Sequence, residues 1–193
     1  ERRARAVSNR RTLNPDDVRN LATLDPTAIA QVIREAQPLI RNADELHDVL
    51  LSRFFVPVVE FNSLPGQRWF EALANEGRAT AVVLPNGETA WVPAERLPAV
   101  RAMFPKASAS PPIETPDGVR TNWESAEARI ALLRGWLEVC GPITAEELAT
   151  QTTFDLELVF ASLEALEGEG IVLRGRFRSD ERADAAPLAE ASI

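Results

Sequence analysis

Cysteine, histidine and positive charge are all scarce in this chain, and each scarcity narrows what it does. The single cysteine, Cys140, excludes an internal disulfide, and a lone thiol fits a reducing cytoplasm. Its place on an apolar helix face predicts a core cysteine rather than a reactive one. The single histidine, His47, would have to serve any Ser-His-Asp arrangement. It lies between Leu46 and Asp48, and we expect it off the apolar face and partly exposed. There is no GxxxxGK(S/T) loop, no HExxH and no CxxC pair. Carboxylates are plentiful, yet no pair stands out as a poised acid and base. We therefore expect no catalytic, cofactor or metal site: by itself this piece is not an enzyme. No apolar run approaches the roughly 18 residues a membrane helix needs, so no membrane partner is expected. A signal peptide is not visible, and a start at Glu1 rather than Met suggests a piece cut from a longer protein.

The 193 residues are 45% hydrophobic and 26% charged, an ordinary globular composition with room for a core. Net charge is −8, the wrong sign for a protein whose whole surface attracts phosphate. The distribution is uneven. Residues 1–11 carry five arginines and one acid, whereas residues 124–170 hold two arginines against ten acids. Basic charge gathers at the N-terminus and again on the last predicted strand.

The stretch 129–178 is the most informative. Ile130, Leu133, Trp136, Leu137 and Cys140 recur at helical spacing, and Gly141-Pro142 then breaks the helix. Thr144 and Glu147 form a capping box that starts a second helix. Asp155 is a good N-cap for a third, carrying Val159, Phe160, Leu163 and Leu166. Gly168 and Gly170 end it, and a strand over 171–178 follows. Helix, turn, helix, helix, strand is the layout of a winged helix.

A proline-rich linker over 105–122, with four prolines, divides the chain. Before it, Asp25-Pro26 starts a helix carrying Ile29, Val32 and Ile33. Asn42 and Glu45 suggest a second capping box before Leu46, Val49, Leu50 and Phe54. Val56–Phe61 suggests a short strand, and Pro65-Gly66 precedes a helix with Trp69, Phe70 and Leu73. Ala79–Leu84 and Thr89–Val92 flank Asn86-Gly87, a pair suited to a type I′ hairpin turn. The amphipathic helix 94–104 closes this unit, and a short helix near Asn14-Pro15-Asp16 precedes it. The expected fold class is α+β, mainly helical: tandem winged-helix modules with small β hairpins. The expected domains are a helical lead-in at 1–24, a first module at 25–104, the linker at 105–122, a second module at 123–178 and a flexible tail at 179–193.

Candidate nucleic-acid contacts follow from this layout. Arg174, Arg176 and Arg178 alternate at period two, so their guanidinium groups share one strand face. Such a wing can straddle a phosphate backbone; the same face can instead pair with neighbouring acids. The third helix of the second module carries Asp155, Glu157, Glu164, Glu167 and Glu169 and no basic residue, which argues against base reading and for a solvated face or a docking surface. In the first module Gln67 and Arg68 occupy the first turn of the third helix, where polar groups can reach a groove. The cluster Arg2, Arg3, Arg5, Arg10 and Arg11 reads either as a helix face continuing an upstream domain or as a DNA arm. Trp69, Trp91 and Trp136 read as core, and Trp123 as a pin beside the linker.

Several runs together resemble the Lhr-type large DNA helicases of bacteria. They are RARAVS at 3–8, LDPTAIAQV at 24–32, ADELHDVLL at 43–51, EGRA at 76–79, WVPAERLPAVRAMFP at 91–105, GPITAEELA at 141–149 and LEALEGEGIVLRGRF at 163–177. The resemblance implies an accessory winged-helix region lying after the two RecA-like motor domains and the helicase-associated domain. It would act on single-stranded or forked DNA in repair, with those motor domains as partners in the same chain. ATP hydrolysis would belong to the parent protein. The winged helices also look like those of the AlkZ/YcaQ type of DNA glycosylases, whose glutamine-rich catalytic motif matches no position here. Family chains usually continue past the RGRF strand into a second wing strand with a Trp-Cys pair and a basic helix; residues 179–193 have neither.

Overall fold

A computed structural model describes residues 26–61, 64–175 and 190–192 of the chain. The expected lead-in at 1–24 and its arginines, with Arg176 and Arg178, lie outside the described residues. The elements are α1 (Pro26–Ala36), α2 (Ala43–Arg53), β1 (Val56–Pro57), a 3-10 turn (Val58–Phe61), α3 (Leu64–Asn75), β2 (Ala79–Val83) and β3 (Thr89–Pro93). A second 3-10 turn (Ala94–Arg96) leads into α4 (Leu97–Met103), followed by β4 (Ala109–Ser110). Then come α5 (Ser125–Cys140), β5 (Ile143–Thr144), α6 (Ala145–Thr152), α7 (Leu156–Gly168), β6 (Leu173–Gly175) and β7 (Glu190–Ser192). The class is α+β and mostly helical.

Local chemistry explains most boundaries. Asn42 caps α2 by accepting from the Glu45 amide at 2.8 Å, while Glu45 returns to the Arg41 amide rather than to Asn42. The box expected there is thus displaced by one residue. At Thr144 the box is complete: the Thr144 hydroxyl accepts from the Glu147 amide, and the Glu147 carboxylate accepts from the Thr144 amide. Asp155 holds the N-cap position of α7 with no side-chain capping bond. Pro57 cannot donate to a ladder, and β1 stops there in favour of a 3-10 turn.

The hairpin β2–β3 forms where the sequence places it, with a different turn. The Gly87 amide donates to the Leu84 carbonyl at 2.9 Å and the Leu84 amide to the Glu88 carbonyl at 2.8 Å. Only Gly87 takes positive φ (+86°); Asn86 does not. The loop is therefore a three-residue turn ending in a left-handed glycine, not the expected type I′ turn. The reason is Pro85, whose fixed φ suits the second position of a type I turn. Asn86 instead accepts from the Glu88 amide through its side chain.

Two antiparallel sheets result. The first has strand order β1-β3-β2-β4, with Val56 opposite Trp91 and Ala81 opposite both Trp91 and Ser110. Residues 109–110, inside the proline-rich linker, thus add an edge strand, and Thr80 donates to the Pro111 carbonyl at 2.6 Å. The second has order β5-β7-β6. Residues 190–192, which the sequence puts in the tail, form its middle strand, because β5 and β6 otherwise lack ladder partners on the sides they present to it.

The segments on either side of the linker share one apolar cluster. It runs from Phe54, Phe55, Val82, Leu97 and Phe104 to Leu132, Trp136, Leu148, Leu163 and Leu166. Aromatic rings cross the seam: Phe55 meets Trp136 at 6.0 Å and Phe104 stacks on Phe154 at 5.3 Å, while Phe55 and Phe104 meet at 6.1 Å on the near side. Trp123 does pin the linker, edge-on to Phe54 at 6.1 Å and donating to the Arg120 carbonyl at 3.0 Å. A smaller cluster holds Leu46, Leu50, Val56, Leu73 and Trp91, with Trp69 packed against it.

The tightest point of the seam is where α5 crosses the end of α2. At Gly135 a Cβ would stand 1.8 Å from the Ser52 carbonyl oxygen, so only glycine permits this approach. Next to it, buried Trp136 donates from Nε1 to the Arg53 carbonyl at 2.9 Å, and the Arg53 guanidinium lies 4.5 Å over its ring.

Candidate nucleic-acid interface

β6 is positioned by the end of α7. The Ile171 amide donates to the Leu166 carbonyl at 3.0 Å, and Gly170 takes the positive φ that turns the chain out of the helix. Val172 is buried in the large apolar cluster, and the next two residues, Leu173 and Arg174, are both exposed. Arg174 Nη2 donates to Glu167 Oε2 at 2.9 Å, with both side chains over 40% exposed. Arg174 is thus paired with a neighbouring acid of α7. Arg176 and Arg178 lie outside the described residues.

The other candidates sit elsewhere. Gln67 and Arg68 are exposed at the end of the first turn and the start of the second turn of α3. Arg68 takes part in none of the ion pairs among the described residues. α3 packs on α2 and β2, whereas β6 pairs with β7. Arg68 and Arg174 thus stand on separate packing units.

α7 packs on α5 and α6 through Val159, Ser162, Leu163 and Leu166. Its outer side presents Asp155, Glu157, Glu164 and Glu167 with Leu156 and Leu158, the last two 37% exposed each. Arg129, from α5, is turned inward, donating to Ser162 Oγ at 3.2 Å. No positive charge on α7 faces solvent, as its sequence requires.

One polar cluster escaped the sequence reading. His47 is buried rather than partly exposed, because Ala43, Leu46, His47 and Leu50 form the inward stripe of α2. That i, i+3, i+4, i+7 spacing was the available signal. Its Nδ1 lies 3.2 Å from Arg78 Nη2 and its Nε2 3.3 Å from Glu95 Oε2. A guanidinium only donates and a carboxylate only accepts, so the ring accepts at Nδ1 and donates from Nε2. Arg78 also bonds Asp44 at 2.7 Å and Glu76 at 3.3 Å, and the Asp44 bond above all holds its pKa above the usual range. Nearby, burial lowers the pKa of Arg96, which donates to the Leu51 carbonyl at 2.9 Å and lies 4.4 Å over the Phe54 ring. These groups tie α2 to the hairpin.

Cys140 is half-buried at the end of α5, on the edge of the core. Among the described residues no helix is long and apolar enough to cross a membrane, and no group of three or more His, Cys, Asp or Glu could hold a metal ion. No known family model matches the chain, and no curated protein matches it.

Proposed function

We propose that the chain is an accessory nucleic-acid-binding region built of two winged-helix modules, part of an Lhr-type ATP-dependent DNA helicase in repair, and that it guides or clamps DNA through phosphate contacts. The observation that carries this reading is the order α5–β5–α6–α7–β6–β7 with sheet order β5-β7-β6. This order supports a winged-helix reading, in which the last two strands would form the wing beside the third helix. The order α2–β1–α3–β2–β3, with sheet order β1-β3-β2, supports a second copy in which one 3-10 turn replaces the second helix.

In this reading Arg174, Arg176 and Arg178 straddle a phosphate backbone, with Arg68 and Gln67 adding contacts from the other module. The Arg174–Glu167 pair is no obstacle. An exposed ion pair is worth about 0–1 kcal/mol, and a phosphate offers Arg174 two acceptors at once. Phosphate contacts from the Arg174 face are sequence-independent, and α7, acidic and without a basic residue, is repelled by the backbone it would have to approach to read bases. Changing Arg174, Arg176 and Arg178 together to Ala in the parent helicase tests this: DNA binding and unwinding should fall. Unchanged unwinding would refute it.

A second reading is favoured by the outer side of α7, where carboxylates flank Leu156 and Leu158. There the module docks on the helicase body or a repair partner instead of DNA. Stable association of this chain with the motor domains in the absence of DNA, measured by sedimentation, would select this reading.

A further inference from the structure

A groove follows the seam between the two halves. Its first lobe, about 260 Å³, is apolar and is floored by Ile40, Val49 and Val139, with Leu39 at its lip. Its second lobe, about 360 Å³, runs past Ile33 and Ile143 to Cys140. Arg53 and Val139 line both lobes, so they are continuous. Leu39 is 69% exposed, an apolar lip without cover among the described residues. The charges are one-sided: Glu45 and Asp48 line the first lobe and Glu60 and Glu147 the second, against Arg53 alone. Arg53 is already bound to Glu60 at 2.7 Å.

We propose that this groove takes the arginine-rich segment Arg2–Arg11 of the same chain. Charge selects the occupant. Residues 1–11 hold five arginines and one acid, the densest positive run in a chain of net charge −8. Val7, the one large apolar side chain among them, lies centrally with arginines on both sides and matches an apolar lobe rimmed by carboxylates. Reach is no constraint. Residues 12–25 can span roughly 45 Å when extended, and α1 brings its own Ile33 to the groove about 10 Å from Pro26. Tethering supplies an effective concentration on the order of 1 mM. An intrinsic dissociation constant as weak as about 0.5 mM then keeps about two-thirds of the grooves filled. The cluster that the DNA-binding account leaves unused thereby acquires a partner, independently of the winged-helix reading.

Cys140 lines the second lobe and is the only cysteine, so its alkylation rate by a maleimide reports occupancy. At about 50 mM salt, replacing all five arginines with Ala, or starting the chain at residue 12, should speed alkylation about threefold. Asp48→Lys, at an exposed carboxylate of the first lobe, should do the same. About 0.5 M salt should bring the unaltered chain up to the rate of the variants. Tryptophan emission unchanged across the set would establish that each variant is folded. Equal rates for all chains at low salt would overturn the proposal. A rate that falls with protein concentration would also overturn it, by making the occupant's donor a second copy.

Discussion

Replacing Gly135 with alanine probes the seam on which the whole arrangement depends. The added Cβ would lie 1.8 Å from the Ser52 carbonyl oxygen and 2.8 Å from its carbon, both backbone atoms that no rotamer change can move. A tolerable carbon–oxygen contact is about 3.3 Å, so α2 and α5 must part by roughly 1.5 Å. That shift loosens the aromatic contacts of Trp136 and stretches its bond to the Arg53 carbonyl. Overpacking costs about 1–3 kcal/mol and a broken buried hydrogen bond about 1–3 kcal/mol more. Alanine's better helix propensity returns about 1 kcal/mol. The net expectation is a loss of roughly 3 kcal/mol, or about 6–12 °C in Tm for a chain of this size. Urea unfolding followed by tryptophan emission measures it. Gly168→Ala is the control: it closes α7 with no heavy atom within 4 Å of its added Cβ, and should change stability by less than about 1 kcal/mol. A Gly135→Ala chain as stable as that control would refute the close crossing.

Three other perturbations have definite signs. Trp136→Phe keeps most of the ring but leaves the Arg53 carbonyl unpaired, so unfolding should show a loss of about 1–3 kcal/mol. His47→Leu keeps the apolar stripe of α2 while removing the acceptor for Arg78 and the donor for Glu95; a loss of about 1–3 kcal/mol in urea unfolding is expected. The Arg120 hydrogen bond holds the Glu127 carboxyl below its usual range, so its contribution is present at neutral pH and is lost as pH falls through that lowered value. The Tm difference between the unaltered chain and Glu127→Gln should therefore be largest near pH 7, vanish in acid and shrink with salt.

What the sequence made legible was mostly local. Thr144 and Glu147 are three residues apart and cap the same turn, so their bonds needed no tertiary context. The hairpin was visible in its alternating apolar runs, but its turn was decided by Pro85, whose fixed φ outweighs the preference of Asn86-Gly87 for a type I′ turn. The neighbours Leu46 and Asp48 suggest a half-exposed His47, whereas the spacing from Ala43 through Leu46 to Leu50 is what buries it. The linker's prolines were legible; that Ala109 and Ser110 would join β2 was not, because an edge partner depends on where the sheet ends in space. Gly135 looked like an ordinary helix glycine, since nothing local announces that Ser52 will approach it. At the candidate interface the sequence exposed the period-two arginines, while the Arg174–Glu167 pair arises only once β6 folds back beside α7.

The most direct test of the account is fluorescence anisotropy of this chain with single-stranded and forked DNA across a salt series. The account predicts binding whose log affinity falls with log salt at a slope worth about two to four phosphate contacts, with the slope reduced when Arg174, Arg176 and Arg178 become Ala. Flat anisotropy at low salt, or a slope that the three substitutions leave unchanged, would contradict it.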